Sequence, residues 1–192
     1  MNGKRKIIEI KEVSKSYDKK VLDEVSFTVE PGSIMVITGP SGKGKTTLLN
    51  IMMGLVSPDS GEVIGIPEKK SCVFQEDRLL ENFTVEENLK LVSDLPVEEL
   101  KKECSILLEE KEFSQKVREF SGGMKRRVSI LRALLTSSEV IFMDEPFKGL
   151  DVELKEKVIR YTLEKRKDRT LFVVTHDISE AERLGATYFK IL

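Results

Sequence analysis

The chain has no tryptophan, one histidine and two cysteines in 192 residues. Two thiols, Cys72 and Cys104, are too few for a disulfide framework, and neither stands at a metal-ligand spacing. Cys72 lies in an apolar run and is expected in the core. No apolar run approaches the roughly twenty residues of a transmembrane helix. The basic start, Lys4 to Lys6, lacks the apolar segment that would make it a signal peptide. These absences lead to the expectation of a cytosolic protein whose membrane role, if it has one, comes through a partner. An excess of one charge sign is missing too. Lys plus Arg is 32, Asp plus Glu is 33 and the net charge is -1, which gives no general pull toward nucleic acid. The basic clusters Lys4 to Lys6 and Lys165 to Arg169 are short and read as solvated faces. There is no internal repeat and no low-complexity segment. With 40% hydrophobic and 34% charged residues, the composition is that of a globular chain forming one domain over residues 1–192.

What is present is a loop that fits one chemistry. The β-branched and apolar run Ile34 to Ile37 leads into Gly39-Pro40-Ser41-Gly42-Lys43-Gly44-Lys45-Thr46, which matches the phosphate-binding pattern G-x-x-x-x-G-K-[ST]. Glycines let the backbone curl until several N–H groups point inward. The helix that follows, through Thr47 to Gly54, adds the positive end of its dipole. Lys45 would reach the β- and γ-phosphates, and the Thr46 hydroxyl would take Mg²⁺. Glycines that only make a tight turn are the plainer possibility. A strand before the pattern and a helix after it favour the phosphate-binding loop.

The periodicity of the rest is α/β. Residues 6–13 and 21–29 alternate apolar and polar and read as half-buried, antiparallel strands. A short strand is expected over Glu62 to Ile66 and a buried one over Ser71 to Phe74. Thr84-Val-Glu-Glu87 is a capping-box helix start, Pro96 is a break, and helix resumes over Val97 to Lys111. Ser121 opens a helix to about Thr136. The strands Val140 to Met143 and Thr170 to Val174 alternate with a helix over Val152 to Lys165. A short helix from Ser179 and a strand over Thr187 to Ile191 follow. Buried strands alternating with helices give a mostly parallel sheet in a P-loop core, with an N-terminal antiparallel β-subdomain and a small helical insert at about 84–118.

Several apolar strands end in polar residues: Gln75, Asp144-Glu145 and His176. In open parallel sheets ligands bind beyond the carboxyl ends of strands, beside the phosphate loop. Asp144 would hold Mg²⁺ opposite Thr46. Glu145 could accept the proton of an attacking water as general base. His176, the only histidine, could donate a hydrogen bond to the γ-phosphate. Tyr17 reads, on the residues alone, as a surface turn aromatic.

The order and spacing of these residues resemble the ATP-binding-cassette (ABC) ATPases that drive membrane transporters, over essentially the whole chain. Gly39 to Thr46 resembles Walker A, Gln75 the Q-loop glutamine, Ser121-Gly122-Gly123 the signature motif, Val140 to Glu145 Walker B with its glutamate, Gly149-Leu150-Asp151 the D-loop and His176 the switch histidine. Tyr17 falls at the family's adenine-stacking aromatic, which reverses the plainer reading. The resemblance implies catalytic roles for Glu145, His176 and Lys45, and nucleotide contacts from Tyr17 and the phosphate loop through Thr47. It also implies nucleotide contacts from Gln75 and Ser121 to Gly123, a metal site of Thr46, Gln75 and Asp144, and a D-loop Asp151. It further implies a homodimer closing over two ATP molecules, and transmembrane permease subunits holding the chain at the cytoplasmic face of the membrane. The runs Val73 to Leu80 and Thr175 to Ala181 look like importers of the nitrate, sulfonate and taurine type.

Three departures stand out. The signature's usual glutamine is Met124, the D-loop carries Lys148-Gly149 in place of Ser-Ala, and Lys43 adds a cation inside the phosphate loop. Alternatives are a soluble ABC ATPase acting on nucleic acid or the ribosome, a cassette that binds ATP but cycles poorly alone, and a small-molecule kinase. The kinase would leave Ser121 to Gly123 without a role.

Overall fold

The computed structural model describes residues 6–190. In chain order it has β1 (Ile8–Ser16), β2 (Lys20–Val29), β3 (Ile34–Thr38), α1 (Lys45–Met53), β4 (Ser60–Ile64), β5 (Lys70–Val73), α2 (Val85–Lys90) and α3 (Val97–Leu107). It continues with α4 (Gly122–Leu135), β6 (Val140–Asp144), α5 (Val152–Arg166), β7 (Thr170–Val174), α6 (Ile178–Arg183) and β8 (Thr187–Lys190). The alternating N-terminal strands form an antiparallel sheet, β2-β1-β4. The continuously apolar strands form a five-stranded parallel sheet in the order β5-β6-β7-β3-β8.

Strand pleating divides the core. Met35 and Ile37 face one side of β3, and Ile34 and Val36 the other. On the first side lies α1, whose Leu48, Leu49, Ile51 and Met52 are buried between the two sheets. Phe142 and Phe172, opposite each other on β6 and β7, stack there at 5.1 Å. The second side is covered by α2 to α6. Each fully buried Leu or Ile stabilises the fold by about 1.5–3 kcal/mol. The phosphate loop is thus carried on a strand and a helix that are both locked into the core.

Helix ends follow the sequence. Thr84 and Glu87 make the reciprocal capping box, and Gly54 closes α1 in the left-handed conformation. Four expectations need correction. The helix expected to reach Lys111 ends at Leu107; Leu108 is extended, and Glu109 starts a separate 3-10 turn capped by Glu112. The strand expected over 62–66 runs from Ser60 to Ile64, set by pairing with Glu9 to Ser14 of β1. Cys72 is half-buried at the edge of the core, whereas Cys104 is buried and its thiol is pushed up to about 12. In the cluster Lys165 to Arg169, Lys167 is exposed, but Arg166 and Arg169 are half-buried rather than solvated. Arg169 donates to the carbonyls of Leu134, Thr136 and Lys165, and Arg166 to that of Gly32, so these two cations tie the ends of α4 and α5 to the turn before β3. In the first cluster Lys6 is exposed, while Lys4 and Arg5 lie outside the described residues.

Candidate functional site

β3 ends at Thr38 and α1 begins at Lys45, so the loop between is held at both ends. Gly42 (φ 77°) and Gly44 (φ 85°) take left-handed conformations. At Gly44 a Cβ would also meet Val21 O and the Val21 and Leu22 side chains at 2.8 Å, so β2 packs directly on the loop. That contact brings the β1–β2 hairpin beside the loop, and Tyr17 at its tip is 60% exposed with Lys15 Nζ 5.6 Å from the ring centroid. Lys45 is buried, and its ammonium donates to the carbonyls of Gly39 and Pro40 at 2.9 Å each. Pro40 and Lys43 face solvent, and Ser41 is exposed at the cleft described next. Thr46, the first residue after Lys45, is exposed toward a cleft of about 260 Å³ that Gly42, Lys45, Thr47, Gln75, Asp144 and Glu145 also line.

The sheet order places the ends of β5, β6, β7 and β3 side by side, and the polar strand ends converge on this cleft. Asp144 is buried, and its Oδ1 has no hydrogen-bond partner. Burial pushes its carboxyl above the ordinary range; the Thr46 hydroxyl pulls it back, Glu145 raises it, and Lys45 and Arg126 lower it. A buried carboxylate oxygen without a donor, next to a threonine hydroxyl and the Gln75 loop, fits a hard cation that takes its remaining ligands from phosphate and water. Among the described residues no cluster of three or more His, Cys, Asp or Glu could hold a metal alone.

Glu145 continues the strand end with φ 48°, its N–H donating to Val174 O at 2.9 Å. His176 Nδ1 lies 3.1 Å from both Glu145 carboxylate oxygens, which makes Nδ1 the donor and turns Nε2 outward from the pair. The Glu145 side chain is 15% exposed and that of His176 67%. His176 therefore contacts the candidate base directly, a pairing that the sequence does not indicate.

A wider cleft of about 660 Å³ shares Thr46, Gln75 and Asp144 and adds Gly122, Gly123 and Lys148. Ser121 caps α4, accepting from Met124 N at 3.4 Å, and a Cβ at Gly122 would meet nothing within 4 Å. The turn is thus an open helix N-terminus. Met124 packs partly against the core, and Lys148 is exposed at the cleft. Asp151 caps α5 by accepting from Leu154 N at 2.9 Å.

Two sets of residues escaped the sequence reading. One is Arg126, buried and bonded to the Gln75 loop. The other is a network behind His176. Buried Glu180 accepts from Thr175 Oγ1 at 2.6 Å and from Lys155 Nζ at 2.6 Å, and Lys155 also approaches Asp177 at 3.5 Å.

A family model described as ABC transporter matches residues 22–148. The chain is 36% identical to a molybdate/tungstate import ATP-binding protein of Pyrococcus horikoshii, over 93% of this chain and 57% of that protein. It is 38% identical to an aliphatic sulfonates import ATP-binding protein of Bacillus cereus, over 91% of this chain and 76% of that protein. It thus spans little more than half the length of the first relative. Among solved structures it is similar to a dimeric, post-hydrolysis ATP-binding cassette, MJ0796, bound to ADP and Pi. There the TM-score is 0.81 and the identity 28%, over 96% of each chain.

Proposed function

The chain belongs to the ABC transporter family, and on that premise we propose that it is the ATP-binding and ATP-hydrolysing subunit of a membrane transporter. The observation that carries the reading is the convergence of Lys45, Thr46, Asp144 and Glu145 on one cleft at the carboxyl edge of the sheet, with His176 in contact with Glu145. The loop N–H groups and Lys45 bind the β- and γ-phosphates. Thr46, Asp144 and Gln75 would hold Mg²⁺, which supplies charge neutralisation at the phosphates when bound. Glu145 takes a proton from water as its oxygen bonds to the γ-phosphorus and the bond to the bridging oxygen of ADP breaks. His176 holds the Glu145 carboxylate in place through Nδ1. Tyr17 offers the adenine a ring face.

Ser121 to Gly123 form an open helix N-terminus that fits the γ-phosphate bound by a second copy, so the working unit is a homodimer closed over two ATP molecules, with Asp151 at its seam. Permease subunits would hold it at the cytoplasmic face of the membrane. Among the described residues no helix is long and apolar enough to cross a membrane. The sulfonate-import relative supports an importer of the nitrate, sulfonate and taurine type.

The test is Glu145→Gln, which removes the base and keeps the side chain's volume. The variant should bind Mg-ATP, lose at least about 100-fold in turnover and run as a dimer on size exclusion in Mg-ATP. Wild-type turnover would remove Glu145 as base. No binding of Mg-ATP by the unmodified chain would remove the whole reading.

A further inference from the structure

The Gln75 loop is fastened to α4 along much of its length. Arg126 Nη1 donates to Phe74 O at 2.6 Å and Nη2 to Gln75 O at 2.5 Å, and Nη1 lies 3.2 Å from Asp77 Oδ1. One helical turn on, Ser129 Oγ donates to Asp77 O at 3.4 Å; another turn on, Arg132 Nη2 donates to Arg78 O at 3.0 Å. Residues 126, 129 and 132 are spaced to share one side of the helix. The side chain of Arg126 is 9% exposed, and its planar fork spans two successive carbonyls. Gln75, meanwhile, lines the same cleft as Thr46 and Asp144.

We propose that Arg126 is a positioning residue for the reaction: its fork fixes the main chain at Phe74 and Gln75, so that the Gln75 amide is presented to the metal-and-water region beside Asp144. The same latch joins Gln75 to the helix that begins at Ser121, so the two phosphate-facing groups move as one body. This inference rests on the ATP-hydrolysis reading above. Buried Arg126 is not a surface cation of the run Lys125 to Arg127; it is the member of that run whose loss frees the loop.

A lysine at 126 keeps the charge and cannot bridge two carbonyls, so Arg126→Lys isolates the fork. In the full chain with Mg-ATP, kcat should fall roughly 10- to 100-fold while KM changes less than about twofold. Gln75→Ala should fall comparably, and Arg126→Lys/Gln75→Ala should be no slower than Gln75→Ala within about twofold, because both act through one group. Hydrogen exchange of the nucleotide-free protein gives a readout apart from turnover. Amides of residues 75–80 should exchange at least about tenfold faster in Arg126→Lys, with peptides from β6 and α1 unchanged.

Faster exchange everywhere would mean general destabilisation and overturn the proposal. So would multiplicative rate losses in the double variant. If Arg126→Lys keeps wild-type kcat while Arg126→Gln is slow, the role is charge alone, and the latch is wrong. Should Arg126→Lys fail to fold, the Arg126→Gln protein takes its place in the exchange and double-variant measurements. Binding of a fluorescent ATP analogue by the wild type separates failure of this inference from failure of the ATP reading.

Discussion

At Glu145 the backbone sits at φ 48°, a conformation that costs a non-glycine residue about 1–3 kcal/mol. It is imposed where β6 stops, with its N–H held by Val174 O and Pro146 next in the chain. At that turn the Glu145 carboxylate lies 3.1 Å from His176 Nδ1. With φ positive, the usual order of small residues should reverse here. Glu145→Gly should be more stable than Glu145→Ala by about 1 kcal/mol, or roughly 2–4 °C in melting temperature, while both lose turnover. Calorimetry of the two variants decides it; alanine the more stable of the two would mean that the backbone is unstrained. Single residues were legible in the sequence where their partners are local. Lys45 and Thr46 belong to an eight-residue pattern, and Asp144 and Glu145 to the end of an apolar run. Arg126 was not, because its carbonyl partners lie 52 and 51 positions away.

At the scale of elements, α5, the end of β7 and α6 are joined by Glu180. Its carboxylate is buried, and its charge is balanced by Lys155, whose side chain is 20% exposed. Thr175 and Asp177, which flank His176, are both in this network, and Asp177 also caps α6 by accepting from Ser179 N at 2.9 Å. Lys155 lies one turn after the Asp151 cap, its N–H donating to Asp151 O. The arrangement links the first turn of α5 to the His176 loop. Removing the cation leaves a buried carboxylate uncompensated, so Lys155→Met should cost about 3 kcal/mol in urea unfolding, and adding Glu180→Gln should restore part of it. The hydrogen bond to Glu180 chiefly raises the Lys155 pKa above its ordinary 10.5. A raised cation pKa contributes stability that is complete below the unfolded value and is lost as pH rises through the folded one. Wild type should therefore lose part of its advantage over Lys155→Met above about pH 10.5; an undiminished difference there would argue against the pairing. The elements themselves were mostly legible, through capping residues and periods of two or 3.6. The order β5-β6-β7-β3-β8 was not, since it depends on crossovers between segments far apart in sequence.

On the proposed reading two surfaces bind phosphate, the loop at Gly39 to Thr46 and the open N-terminus of α4. Gly122 has free space where a Cβ would be, and Ser121 is exposed. If each site is completed by the other copy, damage to the two surfaces should be separable. Lys45→Ala removes phosphate binding from a chain that keeps its Ser121 turn. Ser121→Phe blocks the turn in a chain that keeps its phosphate loop. Each variant alone should be inactive, since every site in its homodimer has one broken half. In a mixed dimer one site has both halves broken and the other has both intact. Equal mixing yields about half mixed dimers if pairing is random and nearly all if only an intact site holds two copies together, each with one sound site of two, so hydrolysis should return to roughly a quarter to a half of the wild-type rate if sites act independently. If hydrolysis needs both sites at once, ATP should still bring mixed dimers together on size exclusion, because one intact site provides the bridging contacts. Two inactive variants that neither recover hydrolysis nor associate when mixed would place both halves of the site within a single chain. Full activity in Ser121→Phe alone would remove the α4 turn from the chemistry altogether.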